Sequence, residues 1–279
     1  MRNLLSTSAA FAFVLCFSSC NNNDKTSSPT STTMEQPVSI KTGNVDYTRD
    51  GVNMKGFVAY NDSLKGPLPI VIIVHEWWGQ TEYPRMRARQ LAELGYLAFA
   101  IDMYGDGKTA DSPDSAQKLS TPFYSNLKMS QARFDAAMAK IKTLPNADTN
   151  RIAAIGYCFG GGMVLNMARL GEPLKGVVSF HGNLLGAPAD KKLLKAEILV
   201  CHGDSDKFVL PAEVAEFKKQ MDSIGATYTF KSYANATHAF TNPGATEKGK
   251  KYNMPIEYNA AADTASFNEM KMFLSRVFK

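Results

Sequence analysis

The chain has 279 residues, 44% of them hydrophobic, which suffices for one large α/β domain with a buried core and leaves too little for a second full domain. Its 31 Lys and Arg against 26 Asp and Glu give a formal net charge of +5, with no basic run long enough for a nucleic-acid arm or a polybasic membrane patch. Nucleic acid is therefore not expected as a partner, and a small-molecule substrate is.

At the N-terminus Arg2 is the only charged side chain before the apolar run Ala9 to Phe17, after which small Ser18 and Ser19 precede Cys20. The run is too short to cross a bilayer and reads as a secretory signal over residues 1–19. Phe17-Ser18-Ser19-Cys20 resembles the lipobox of bacterial lipoproteins, which implies cleavage before Cys20 and acylation of that cysteine. The membrane would then be reached only through a lipid anchor, in the bacterial cell envelope; the plainer alternative is a secreted protein cut elsewhere. Residues 20–42, rich in Asn, Ser, Thr and Pro, lack apolar periodicity and are expected as a linker ahead of a folded domain over 43–279. That domain keeps Cys158 and Cys201, expected as free thiols because a disulfide would consume the better nucleophile.

Asn44 to Arg49 and Lys55 to Tyr60 flank Asp50-Gly51, a pair that favours a tight hairpin turn, so the domain should open with an antiparallel pair. Apolar runs without alternation follow, as expected for strands covered on both faces: Ile70 to Val74, Leu97 to Ile101, Ile152 to Ile155, Val177 to Phe180 and Ile198 to Cys201. Helical patterns lie among them at Pro84 to Leu94, Gln131 to Thr143, Gly161 to Leu170 and Ala212 to Ile224, three of them followed by a closing glycine. Thr227 to Tyr233 reads as the last strand. A final helix from about Asp263 places Phe267, Met270, Leu274 and Val277 on one stripe. The alternation predicts a mostly parallel central sheet with helices on both faces. Met103 to Ser125 and Thr241 to Ala260 carry no regular pattern and read as long functional loops on the ligand-binding side of the sheet.

Gly156-Tyr157-Cys158-Phe159-Gly160 falls between a predicted strand and a predicted helix, the setting of a Gly-x-nucleophile-x-Gly elbow with Cys in the nucleophile position. Glycines on either side of a one-residue turn relieve a steric collision, and the helix N-terminus favours a thiolate and a developing oxyanion. A glycine-rich turn around a buried cysteine is the plainer alternative. An acid and a base should follow on later strand ends, and Asp204, Asp206 and His238 qualify. Asp206 lies further along its loop and has more reach toward His238, whereas Asp204 suits a turn cap. His181 and His202, at strand ends beside glycines, read as packing residues. The four histidines show no metal-ligand spacing, so neither metal nor cofactor is expected. His75-Glu76-Trp77-Trp78-Gly79 closes the strand from Ile70, where a second oxyanion amide would come from Trp77 beside that of Phe159. Glu76 alone reads equally as a solvated carboxylate, and the Trp pair as a hydrophobic cap. Trp78, Tyr104 and Asn242 are the expected substrate contacts.

Glu76-Trp77-Trp78-Gly79, the segment Gly156 to Gly161, Asp206-Lys207-Phe208-Val209 and His238-Ala239-Phe240 together closely resemble the dienelactone hydrolase family, from about Val45 to the C-terminus. The resemblance implies an α/β-hydrolase fold and hydrolysis of an ester or lactone through an acyl-enzyme, with Cys158 as nucleophile, His238 as base and Asp206 as its orienting acid. It also implies that Glu76 contacts the resting cysteine and keeps it a neutral thiol until substrate arrives. Dienelactone-cleaving members carry an arginine four residues after the histidine to bind a substrate carboxylate, and this chain has Asn242 there. A second family arginine ahead of the elbow has no assigned counterpart. The chemistry is thus expected to carry over without the substrate. Two other readings stand beside it: an envelope-tethered binding protein without turnover, and a redox thiol cycling between Cys158 and Cys201.

Overall fold

The computed structural model describes residues 38–279; the signal segment, Cys20 and the linker up to residue 37 lie outside the described residues. β1 (Ile40–Arg49) and β2 (Val52–Asn61) form the expected antiparallel hairpin. Asp50 and Gly51 turn the chain with φ of 50° and 74°, the left-handed pair that matches the twist of the flanking strands. β1 begins at Ile40, inside the stretch expected as linker, because Lys41 and Thr42 pair with Tyr60 and Ala59 through their backbones, an interaction that leaves no apolar pattern.

The chain continues through β3 (Leu68–Val74), α1 (Glu82–Glu93), β4 (Leu97–Ile101), α2 (Pro113–Ser125), α3 (Leu127–Ile141) and β5 (Ala147–Tyr157). After these come α4 (Phe159–Arg169), β6 (Gly176–Phe180), β7 (Glu197–Gly203), α5 (Pro211–Ser223), β8 (Tyr228–Tyr233), α6 (Ala245–Tyr252) and α7 (Ala260–Val277). The strands form an eight-stranded sheet in the order β1-β2-β4-β3-β5-β6-β7-β8, parallel from β4 onward. Ile70, Ile72 and Val74 pack in one layer with Phe134 of α3, Met163 of α4 and Phe217 of α5. Val71 and Ile73 face the other way, toward Leu91 of α1 and Phe273 and Leu274 of α7. Covering both faces removes the alternation expected of a half-exposed strand, and each such side chain contributes about 1.5–3 kcal/mol over an exposed one.

Both segments read as irregular contain a helix. In α2 the buried residues are Ala116, Ser120 and Phe123, a helical spacing in which two of the three are too small to register as apolar. Ser112 caps it, its side chain accepting from the Ser115 amide, and Pro113 occupies the first turn. In α6 the buried residues are Ala245 and Gly249, again small and one turn apart. α3 starts at Leu127 rather than Gln131 because the Asn126 side chain accepts from Met129 N at 3.0 Å and caps the earlier turn.

The chain goes from β3 to β4 on one side, then crosses to β5 on the other. This makes the carboxyl ends of β3 and β5 a topological switch point, where adjacent connections diverge and leave a crevice. Glu76 follows β3 and Cys158 follows β5.

Candidate active site

β5 passes into α4 through Cys158 alone, which takes φ 54° and ψ −115°. That conformation is costly for a residue with a β-carbon and turns the side chain out of the strand-helix junction. A Cβ on Gly156 would overlap the Gly160 carbonyl, and one on Gly160 would overlap the Val74 carbonyl at the end of β3. Both positions therefore require glycine. The Cys158 amide donates to Phe180 O at 3.0 Å and to His181 Nδ1 at 3.1 Å. Its thiol is half-buried and lines a cavity of about 180 Å³ together with Glu76, Trp77, Trp78, Tyr124 and His238.

His238 Nδ1 lies 2.9 Å from Asp206 Oδ2, and both residues are buried. Asp206 Oδ1 accepts from Phe208 N at 2.7 Å and Val209 N at 3.2 Å. Burial raises the Asp206 pKa, but the His238 hydrogen bond and charge and these two amides outweigh it and hold the carboxyl below its ordinary range. Burial alone would lower His238; the Cys158 charge, the hydrogen bond that His238 donates to Asp206 and the one it shares with Cys158 instead push it up to about 10. Half-buried Cys158 and buried His238 and Asp206 thus meet in one cluster, on the segments that follow β5, β8 and β7. Asp204 is exposed and accepts from Asn235 N at 2.7 Å, the turn-holding position expected of it.

Glu76 is buried, and its Oε2 accepts from Asn242 Nδ2 at 2.6 Å. Among the described residues its side chain makes no hydrogen bond to the Cys158 thiol, so the contact implied by the family resemblance is replaced here by one to Asn242. Burial raises the Glu76 pKa against the opposing Lys248 charge, the Asn242 hydrogen bond and the His238 and Arg87 charges. The Asn242 orientation is fixed, since its Oδ1 accepts from Gly244 N at 2.8 Å and only the amide donors remain for Glu76. Asn242, an expected substrate contact, is buried, lies outside the cavity lining and holds Glu76. Tyr104, another expected contact, also lies outside the cavity lining: its hydroxyl donates to Trp77 O at 3.0 Å and its ring packs on His75 and Phe159. Trp78 does line the cavity, stacked on Tyr252 with Lys248 Nζ 4.6 Å from its ring centre.

His75 accepts from Met103 N at Nε2, which leaves Nδ1–H to donate to Glu76 O at 2.6 Å and sets the strand-end turn. His202 packs at its strand end, its ring 5.6 Å from Phe230. His181 does more than pack, because it accepts from the Cys158 amide. Ser120 and Tyr124 of α2, Asn183, Phe208, Ala239, Met254 and Ile256 complete the cavity wall. The sequence offers no pattern for them because most sit on the two unrecognised helices and their connections. Cys201 is a free thiol inside β7, pushed up to about 12 by burial.

The fold agrees with comparisons to known proteins. Protein usf of Aquifex pyrophilus is 31% identical over 204 residues, covering 71% of this chain and 86% of its own length. A protein of Escherichia coli (strain K12), provisionally named a carboxymethylenebutenolidase, is 30% identical over 215 residues, covering 72% and 78%. Among solved structures, the dienelactone hydrolase-like promiscuous phosphotriesterase P91 from metagenomic libraries superposes with a TM-score of 0.81 at 30% identity, covering 86% of this chain and 99% of that one. The description of the dienelactone hydrolase family matches residues 54–278, nearly the whole folded domain, and the chain belongs to that family.

Proposed function

We propose that this hydrolase of the ester and lactone type cleaves small substrates through a Cys158–His238–Asp206 triad and an acyl-enzyme. The observation that carries the reading is the position of His238, bound through Nδ1 to Asp206 at 2.9 Å and also hydrogen-bonded to Cys158. With Nδ1 engaged, Nε2 is the nitrogen left for the thiol. The proton of the Cys158–His238 pair resides on His238 when the thiolate attacks the carbonyl carbon to give a tetrahedral oxyanion. The amides of Phe159 and Trp77 are the donors for that oxygen; among the described residues neither donates to a protein acceptor. Collapse breaks the bond to the alkoxy oxygen, which leaves with the proton from His238. His238 then deprotonates a water that attacks the thioester, releasing the acid and restoring the thiol.

Glu76 enters as a modulator. An ionised carboxylate in the same cavity disfavours the thiolate, and the burial that raises its pKa weakens that opposition. The amide of Asn242 is committed to Glu76 and offers no cation, which favours substrates other than a carboxylated dienelactone. We also read Cys20 as a lipid-anchor site for an envelope enzyme; labelled palmitate should enter the wild type and not Cys20→Ser.

A product-resolved screen of lactones and aryl esters with wild type and Cys158→Ala tests the function. Turnover should be lost in the variant, and turnover that survives unchanged overturns the triad. Inertness of the wild type toward the whole panel, with Cys158 still slowly alkylated independently of pH, would favour a binding protein instead.

A further inference from the structure

A buried polar chain that does not line the cavity joins the nucleophile's backbone to the loop that carries the base. His181 directly follows β6, is 1% exposed, and adopts φ 42°, a left-handed conformation that a residue with a β-carbon keeps only where its surroundings hold it. Its Nδ1 lies 3.1 Å from the Cys158 amide and its Nε2 lies 2.8 Å from Thr241 Oγ1. Thr241 stands three residues beyond His238. Its Oγ1 is 2.6 Å from the Tyr83 hydroxyl of α1, and its carbonyl accepts from Arg87 at 2.6 Å. Arg87 also donates to the Tyr83 hydroxyl and pairs with Asp263 of α7, so the far end of the chain is anchored in two helices.

Proton accounting fixes the tautomer. The Cys158 amide can only donate, so His181 Nδ1 is unprotonated and Nε2–H donates to Thr241. A doubly protonated ring could not accept from Cys158. Burial, together with the His238 and Arg87 charges, lowers the His181 pKa well below its ordinary value, which keeps the accepting tautomer in place. The two imidazoles meet edge to face, with centroids 5.2 Å apart.

We propose that His181 is a positioning residue whose two ring nitrogens tie the Cys158 backbone to Thr241 on the His238 loop, fixing how the thiol meets the base. The inference rests on the reading of Cys158 and His238 as nucleophile and base. Other groups also face that pair: Asp206 after β7, Glu76 after β3, Tyr124 of α2, Tyr104 after β4, His202 of β7 and, through His181, Arg87 of α1. Lys248 of α6 acts on it through Glu76. None of these groups is itself altered when only position 181 or 241 is changed.

The test is the pH dependence of Cys158 alkylation by iodoacetamide, located by mass spectrometry, alongside ester kinetics and melting temperature. Cys201, buried and with its pKa pushed up to about 12, gives no competing signal. His181→Phe and Thr241→Val should raise the apparent thiol pKa by about one unit and lower kcat on the order of tenfold, with KM within about twofold. His181→Asn, whose amide oxygen can replace Nδ1 toward Cys158, and Thr241→Ser, which keeps the hydroxyl, should recover most of both. Folded His181→Phe and Thr241→Val variants with an unchanged alkylation profile overturn the proposal, whatever their kcat. Should His181→Phe fail to fold, the Thr241 pair decides the question by the same readout. Because alkylation needs no substrate, the outcome stands apart from whether any ester is turned over.

Discussion

Asp206 concentrates the electrostatics of the site. Its carboxylate takes one hydrogen bond from His238 and two from backbone amides, and these overcome a burial that by itself would neutralise it. In the proposed triad, Asp206→Asn keeps the shape and removes the charge that would orient and stabilise the imidazolium. It should cut kcat by about 10³–10⁴-fold with KM near wild type in steady-state kinetics, the scale seen when a triad acid becomes an amide. The same group makes a stability prediction with a definite sign. The folded pKa lies below the ordinary value of about 3.9, so its contribution is present above that pH and is lost as pH falls through the folded value. Denaturant melts of wild type and variant should therefore differ at pH 6 and converge in strong acid. Cys158, Asp206 and His238 were legible in the sequence because each closes a strand beside recognisable neighbours. His181 was not, since accepting from a backbone amide leaves no mark on residue type. Asn242 was read for the charge it lacks, and its actual role, holding Glu76, depends on a chain fold that sets Gly244 against its oxygen.

At the scale of elements, the strands and the large-residue helices were readable, while α2, which walls the cavity, and α6, which leads into the wall residues Met254 and Ile256, were not. α2 and α6 dock through Ala116, Ser120, Ala245 and Gly249, whose small side chains allow close approach and give no apolar stripe. Gly249 allows a direct test. Glycine in the middle of a helix is disfavoured against alanine by about 1 kcal/mol, so propensity alone predicts that Gly249→Ala stabilises. A Cβ there, however, would overlap the Ile256 carbonyl. Overpacking against backbone costs about 1–3 kcal/mol and should win. Denaturant unfolding should show a net loss on the order of 1 kcal/mol. Because Met254 and Ile256 belong to the cavity wall, KM for a small ester should rise with it while kcat changes little. A stabilised variant with unchanged KM would mean that α6 can shift without disturbing the site.

For the molecule as a whole, the sheet and the connections divide the work. The switch point between β3 and β5 sets Glu76 and Cys158 on a rigid floor, while β7 and β8 deliver Asp206 and His238 through their loops. The walls come from α2 and from the chain beyond α6, so the size of the cavity is independent of the chemistry beneath it. That separation is why the sequence announced the reaction and stayed silent about the substrate: the floor is written in strand-end motifs, the walls in packing. The cavity of about 180 Å³ is small and open at one side. Its lining is mostly aromatic and aliphatic, with Tyr124 and Phe208 reaching the surface. Short acyl chains should fit within it, while longer ones must emerge past those rings. Along a series of 4-nitrophenyl esters, kcat/KM should hold or rise from acetate to butyrate, then fall about tenfold or more by decanoate as added methylenes no longer find buried surface. Tyr124→Ala removes part of the α2 wall and should flatten that decline without altering the acetate kcat, because the ring touches the cavity but none of the proton transfers. A monotonic increase out to decanoate in the wild type would instead mean that α2 moves aside for substrate and that the cavity volume does not select it.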